Sequence, residues 1–104
     1  MRIGIMGAMS EEIDGIVAKM TEKKITESCN RIFYEGQFFG VDVVVVFSRW
    51  GKVAAAITAT TLITRFNVDK VIFTGIAGAI VPDLNMGDIV VGQHFFQHDM
   101  DARP

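Results

Sequence analysis

Several things are scarce in this sequence of 104 residues. It has one cysteine, one tryptophan and one tyrosine. Cys29 has no partner for an internal disulfide, which fits a reducing compartment, and a cytoplasmic location is expected. Neither sign of charge dominates: ten Lys and Arg against twelve Asp and Glu leave a net charge of −2. That balance gives no electrostatic reason to expect nucleic acid or an anionic membrane as a partner. Long apolar runs are missing too. The N-terminus carries Arg2, but Gly4, Gly7, Ser10 and Glu11 interrupt any apolar stretch, so neither a signal peptide nor a membrane span is expected. The run Val43-Val44-Val45-Val46-Phe47 is far too short to cross a bilayer and reads as a central strand.

Half of the residues are hydrophobic and 21% are charged, so the chain has the composition of a folded domain. Ile3 to Met6 reads as a first strand. Ile13, Ile16, Val17 and Met20 follow at helical spacing, giving a helix from Glu11 to about Met20 with Ser10 as N-cap. Lys23 and Lys24 suit the far end of its dipole. Arg31 to Gln37 and Val41 to Phe47 flank a hairpin turn at Phe38-Phe39-Gly40. A second helix is expected from Val53 to about Phe66, ended by Asn67 in the left-handed conformation. Lys70 to Thr74 reads as a buried strand, and Ile89 to Val91 as a further strand continuing toward Phe96. The order β-α-ββ-α-β-β predicts an α/β fold: a mixed, mainly parallel central sheet with flanking helices. Nothing after Phe96 resembles a finishing element. The sheet would keep an open edge, so residues 1–104 are expected to be the N-terminal portion of a larger single domain.

Three places could carry chemistry. The first is Glu11-Glu12, where a strand meets a helix. Acids in a first helical turn are favoured by the macrodipole by about 0.3–1 kcal/mol each, which accounts for them without function. The alternative is a ligand cleft. In open α/β sheets, ligands bind beyond the carboxyl ends of parallel strands. Gly7-Ala8-Met9 is such an end, and a carboxylate there could exchange a proton with water. Successive helical residues point about 100° apart, so one acid faces the cleft and the other solvent. The second place is Thr74-Gly75-Ile76-Ala77-Gly78-Ala79, either a plain turn or a row of backbone N–H groups presented to a ligand. Neither loop has dinucleotide or P-loop spacing. The third is His94 with His98-Asp99-Met100-Asp101. Nothing in the spacing makes these side chains converge, and no metal site is expected. Trp50 reads as core or interface, or as a pocket wall.

The stretches IGIMGAMSEE, GKVAAAITAT, TGIAGA, MGDIVV and QHDMD occur in that order. Together they resemble the bacterial 5′-methylthioadenosine/S-adenosylhomocysteine nucleosidases, of the purine nucleoside phosphorylase-like fold, from Ile3 to Asp101. The resemblance implies hydrolysis of the N-glycosidic bond with release of adenine, without metal or organic cofactor. It implies that Glu12 activates the water. It places Ala8 and Met9 near the water and sugar, and Ile76, Ala77 and Gly78 near the purine and ribose. It further implies a homodimer in which Trp50 and the stretch after His98, including Ala102, approach the neighbour's 5′-alkylthio end.

Two positions depart from the pattern. Ile76 stands where a hydroxyl residue is common, and Trp50 where a smaller aliphatic residue is common. The family's purine-side Asp and ribose-gripping Met-Glu pair belong to a second half, which is expected to be absent here, leaving the chain alone inactive. Alternatives are a 6-amino-6-deoxyfutalosine nucleosidase, a non-catalytic remnant that binds nucleosides or another chain, or, less favoured, a phosphorylase with Arg49 as its phosphate anchor.

Overall fold

Val43 to Val46 are four consecutive buried valines, and they place the core. Side chains alternate across a strand. Val44 and Val46 join Met6, Phe33, Leu62, Phe66 and Val68 on one face. Val43 and Val45 join Ile5, Ile13 and Met20 on the other. A strand apolar on both faces requires cover on both, and two helices supply it.

The computed structural model describes residues 1–101 and Arg103; Ala102, expected at a subunit boundary, lies outside the described residues. In chain order the elements are β1 (Arg2–Gly7), α1 (Ser10–Lys19), β2 (Thr21–Ser28), β3 (Arg31–Phe38), β4 (Val41–Phe47), α2 (Lys52–Thr64) and β5 (Lys70–Phe73). They build one sheet in the order β2-β3-β4-β1-β5. β1 lies parallel to both β4 and β5, with Gly7 level with Phe47 and Met6 level with Phe73. β2, β3 and β4 form an antiparallel meander. The α/β expectation with a parallel centre therefore holds. Three parallel strands end at one edge of the sheet, and the loops after Gly7, Phe47 and Phe73 leave from there.

Local signals explain most of the turns. Phe39 and Gly40 take φ of 49° and 79°, the two left-handed residues that a tight hairpin needs. Asn67 ends α2 with φ 54°. Gly4 faces α2, where an added Cβ would lie 3.1 Å from Leu62.

Four expectations are corrected. Met9, not Ser10, is the N-cap of α1; Ser10 is its first helical residue. Lys23 and Lys24 lie in β2, a strand the sequence pattern did not show. Even so, Lys23 Nζ reaches back to the Val17 carbonyl at the end of α1, at 3.4 Å. β2 is almost wholly exposed, so it carries no apolar alternation to read. β5 is exposed along all four residues, not buried. Ile89 to Phe96 forms no strand. A strand needs a partner for its backbone groups, and none lies beside this segment among the described residues.

Candidate functional site

Glu12 joins two of the three strand ends. Its Oε2 accepts hydrogen bonds from the backbone N–H of Ala8 at 2.7 Å and of Met9 at 3.0 Å. Its Oε1 accepts one from the N–H of Ile76 at 3.3 Å, 64 residues along the chain. Two glycines make the approach possible. A Cβ on Gly7 would stand 3.1 Å from Glu12 Oε2, and one on Gly75 would stand 3.2 Å from Oε1. The carboxylate therefore sits where the loops after β1 and β5 face each other.

Helix capping and the site share one side chain. Glu12 is the third residue of α1 and bonds the N–H of the cap residue, which is half of a capping box. Met9 offers no side-chain oxygen to return the bond. Glu11 is exposed, and its Oε2 accepts from the Ser10 hydroxyl at 3.4 Å. Both acids lie in the first turn of α1, as the macrodipole favours, and Glu12 alone also bonds the cap backbone. The expectation that only one of the two acids faces inward holds. Oε2 has two donors, whereas Oε1 has one long bond and an acceptor site to spare.

Gly75, Ile76, Ala77 and Gly78 also line an open groove of about 810 Å³, together with Leu84, Met86 and Val90. Glu12 does not line it; carboxylate and groove meet at Gly75–Ile76. The Ile76 side chain is 89% exposed. Met9 is 44% exposed at the other loop. Trp50 is exposed at the loop after β4 and packs edge-on against Phe47, with ring centroids 5.6 Å apart.

Arg49 lies elsewhere. It faces a separate groove of about 170 Å³ shared with Ser10 and Asp14. Its guanidinium donates to the Asn30 carbonyl through Nε at 3.3 Å and Nη2 at 3.1 Å. The acids of the tail are also engaged: Asp99 pairs with Lys52, and Asp101 with Arg103 at 2.7 Å. Arg103 holds the Asp101 carboxyl below its usual range. Among the described residues, no three His, Cys, Asp or Glu side chains form a metal-holding group. No helix among them is long and apolar enough to cross a membrane.

Gly75, read in the sequence only as part of the small-residue loop after β5, gives Glu12 room. One contributor went unread in the sequence. Ser48 is wholly buried where β4 ends, and its signal is a lone polar residue after an apolar run.

Residues 2–104 match the family model described as the phosphorylase superfamily. The chain belongs to that superfamily. Within it, the chain is 46% identical over 101 residues to the 5′-methylthioadenosine/S-adenosylhomocysteine nucleosidase of Colwellia psychrerythraea, covering 97% of this chain and 42% of the relative. It is 37% identical over 101 residues to the aminodeoxyfutalosine nucleosidase of Helicobacter pylori, covering 96% and 44%. The crystal structure of the Colwellia nucleosidase in complex with adenine superposes with a TM-score of 0.83, over 85% of this chain and 36% of that one. The chain spans less than half the length of these superfamily relatives. The resemblance read from the sequence motifs agrees with them, and so does the fold.

Proposed function

We propose that this chain supplies the water-activating part of an N-glycoside hydrolase site. The substrates would be 5′-methylthioadenosine and S-adenosylhomocysteine, with adenine released. The observation that carries the reading is the Glu12 carboxylate, held by three backbone N–H groups between two strand-end loops. The names of the relatives point to the same chemistry.

Glycoside cleavage passes through an oxocarbenium-like state, with positive charge growing on the sugar. A fixed carboxylate beside it can orient a water through its free acceptor site, take its proton, and favour the developing charge. Ala8 and Met9 would border the water and sugar. Ile76, Ala77 and Gly78 would border the purine and ribose. Departure of adenine needs a proton from a second acid. Asp99 and Asp101 are paired with cations in the tail and do not serve as that acid. We assign it to sequence corresponding to the rest of the relatives' length, so the chain alone is expected to release little adenine.

A homodimer belongs to the same proposal. Trp50, Val53 and Ile57 are 68%, 75% and 41% exposed along the outer side of α2 and the loop before it, an apolar stripe suited to a neighbour. A cytoplasmic location is supported by the free, exposed Cys29.

The Helicobacter relative favours a second reading, hydrolysis of 6-amino-6-deoxyfutalosine, and kcat/KM on the three nucleosides ranks the two. A phosphorylase is less supported, because Arg49 is committed to the Asn30 carbonyl in its own groove.

The test is adenine release by the chain alone and by the chain mixed with a C-terminal fragment of the Colwellia nucleosidase. The mixture should be active and the chain alone nearly inactive. Glu12→Gln in the mixture should lower kcat by about 10²–10⁴-fold with KM little changed. Full turnover by the Gln variant would reject the role given to Glu12. An inactive mixture would favour a non-catalytic binding remnant.

A further inference from the structure

The carboxyl edge of the sheet holds a buried polar chain that the proposed chemistry does not use. The Gly7 carbonyl accepts the Ser48 N–H at 2.8 Å and lies 3.1 Å from the Ser48 hydroxyl. The same hydroxyl lies 2.9 Å from the Arg49 carbonyl, so one proton is shared between the loops after β1 and β4. The Ser48 carbonyl accepts in turn from Arg31 Nε at 3.1 Å; the Thr58 hydroxyl lies 3.4 Å from it but donates to the Ala54 carbonyl at 2.8 Å. Ser48 and Thr58 are fully buried, and Arg31 is 9% exposed. Arg31 is itself fixed by a bond from Nη1 to the Cys29 carbonyl.

We infer that Ser48 is a positioning residue for Glu12, acting through the Gly7–Ala8 peptide. The proposal rests on the water-activating role given above to Glu12. A trans peptide is planar, and its C=O and N–H point in opposite directions. The Ser48 N–H holds the Gly7 carbonyl, and the Ser48 hydroxyl, in the share of time its one proton points at Gly7 rather than Arg49, fixes the direction of that carbonyl further. They thereby fix the Ala8 N–H, which points at Glu12 Oε2. Gly7 has no Cβ to restrain its own rotation. Without the Ser48 hydroxyl the peptide can tilt, and the shortest bond to the carboxylate is lost first. Arg31 keeps Ser48 from following the peptide. Because these groups are buried, their bonds do not compete with water.

The experiment is amide hydrogen exchange by NMR on the 104-residue chain, wild type against Ser48→Ala and Ser48→Thr. Ser48→Ala should speed exchange at Ala8 and Met9 about five- to tenfold, the loss of about one hydrogen bond. Val44 and Val46 should keep their protection, and Ser48→Thr, which retains the hydroxyl, should restore Ala8. A structural role alone would loosen core and loop together. If Ser48→Ala fails to fold, Ser48→Thr against Ser48→Val isolates the hydroxyl at nearly constant shape. Equal Ala8 exchange in either pair overturns the proposal. The measurement involves no turnover, so its failure leaves the Glu12 assignment standing; full activity of Glu12→Gln would remove that assignment without touching the Ser48 bonds.

Discussion

At Gly7, the absence of a side chain matters more than the backbone freedom of glycine. A Cβ there would fall 2.9 Å from Ile13 Cγ2 and 3.1 Å from Glu12 Oε2. Ile13 is 2% exposed and has nowhere to go. Gly7→Ala should therefore cost about 1–3 kcal/mol, read as a lower urea midpoint at an unchanged slope. A midpoint equal to wild type would mean that α1 moves freely away from the sheet. Cys29 offers a second residue-scale check. Hydrogen bonds from Thr61 and Ser28 lower its thiol pKa, and Arg31 and Arg65 assist. The thiolate is the reactive form. The pH midpoint for alkylation should therefore lie lower in the folded chain than in the chain unfolded in urea, and Arg65→Gln should raise it. Coincident midpoints would contradict the shift. The sequence exposed the acids and the small residues around them, but not the bond between Glu12 and a backbone group 64 residues away. It also could not show that one acid both caps the helix and bridges the two loops, since that depends on which residue opens the helix.

Elements were legible where burial imposes a period. The i, i+3, i+4, i+7 spacing located α1, and the valine run located β4 with both faces covered. β2 was illegible because an exposed edge strand has no apolar face to betray it. Its one structural demand lies on β3. A Cβ on Gly36 would approach the Thr21 carbonyl to 2.6 Å, next to the register shift between Thr21 and Lys24. Backbone cannot yield as a side-chain tip can. Gly36→Ala should therefore detach the start of β2, visible as faster amide exchange at Ile25 and Thr26 while β4 keeps its protection. α2 presents the opposite case, a helix apolar on nearly all sides. Helices of that kind are covered all round in finished structures. On the proposal that its outer stripe meets a second copy, Val53→Asp should shift the sedimentation profile toward monomer without changing helical content. An unchanged profile would place the subunit contact elsewhere.

The whole molecule is larger than its length warrants. Its accessible surface is 7885 Å², against about 5,800 Å² for a compact chain of this mass. Its radius of gyration is 15.1 Å, against about 13 Å for a compact domain of this length. The excess lies in β5 and in the segment that follows it. Ile72 and Phe73 are half exposed, and Ile80, Met86, Ile89, Val91, Phe95 and Phe96 are almost fully so. Exposed apolar surface on this scale marks a contact waiting for a partner. The β5 edge also offers unpaired backbone groups to another strand. On the proposal that sequence corresponding to the rest of the relatives' length covers this surface, a C-terminal fragment of the Colwellia nucleosidase should bind the folded chain and stabilise it. At a free concentration one hundred times its dissociation constant, the gain is about 2.7 kcal/mol. For a domain this short, that raises the melting midpoint by roughly 10–20 °C. The same titration should quench the fluorescence of ANS bound to the chain alone. A midpoint and an ANS signal that both ignore the fragment would mean that some other partner covers β5 and the segment after it.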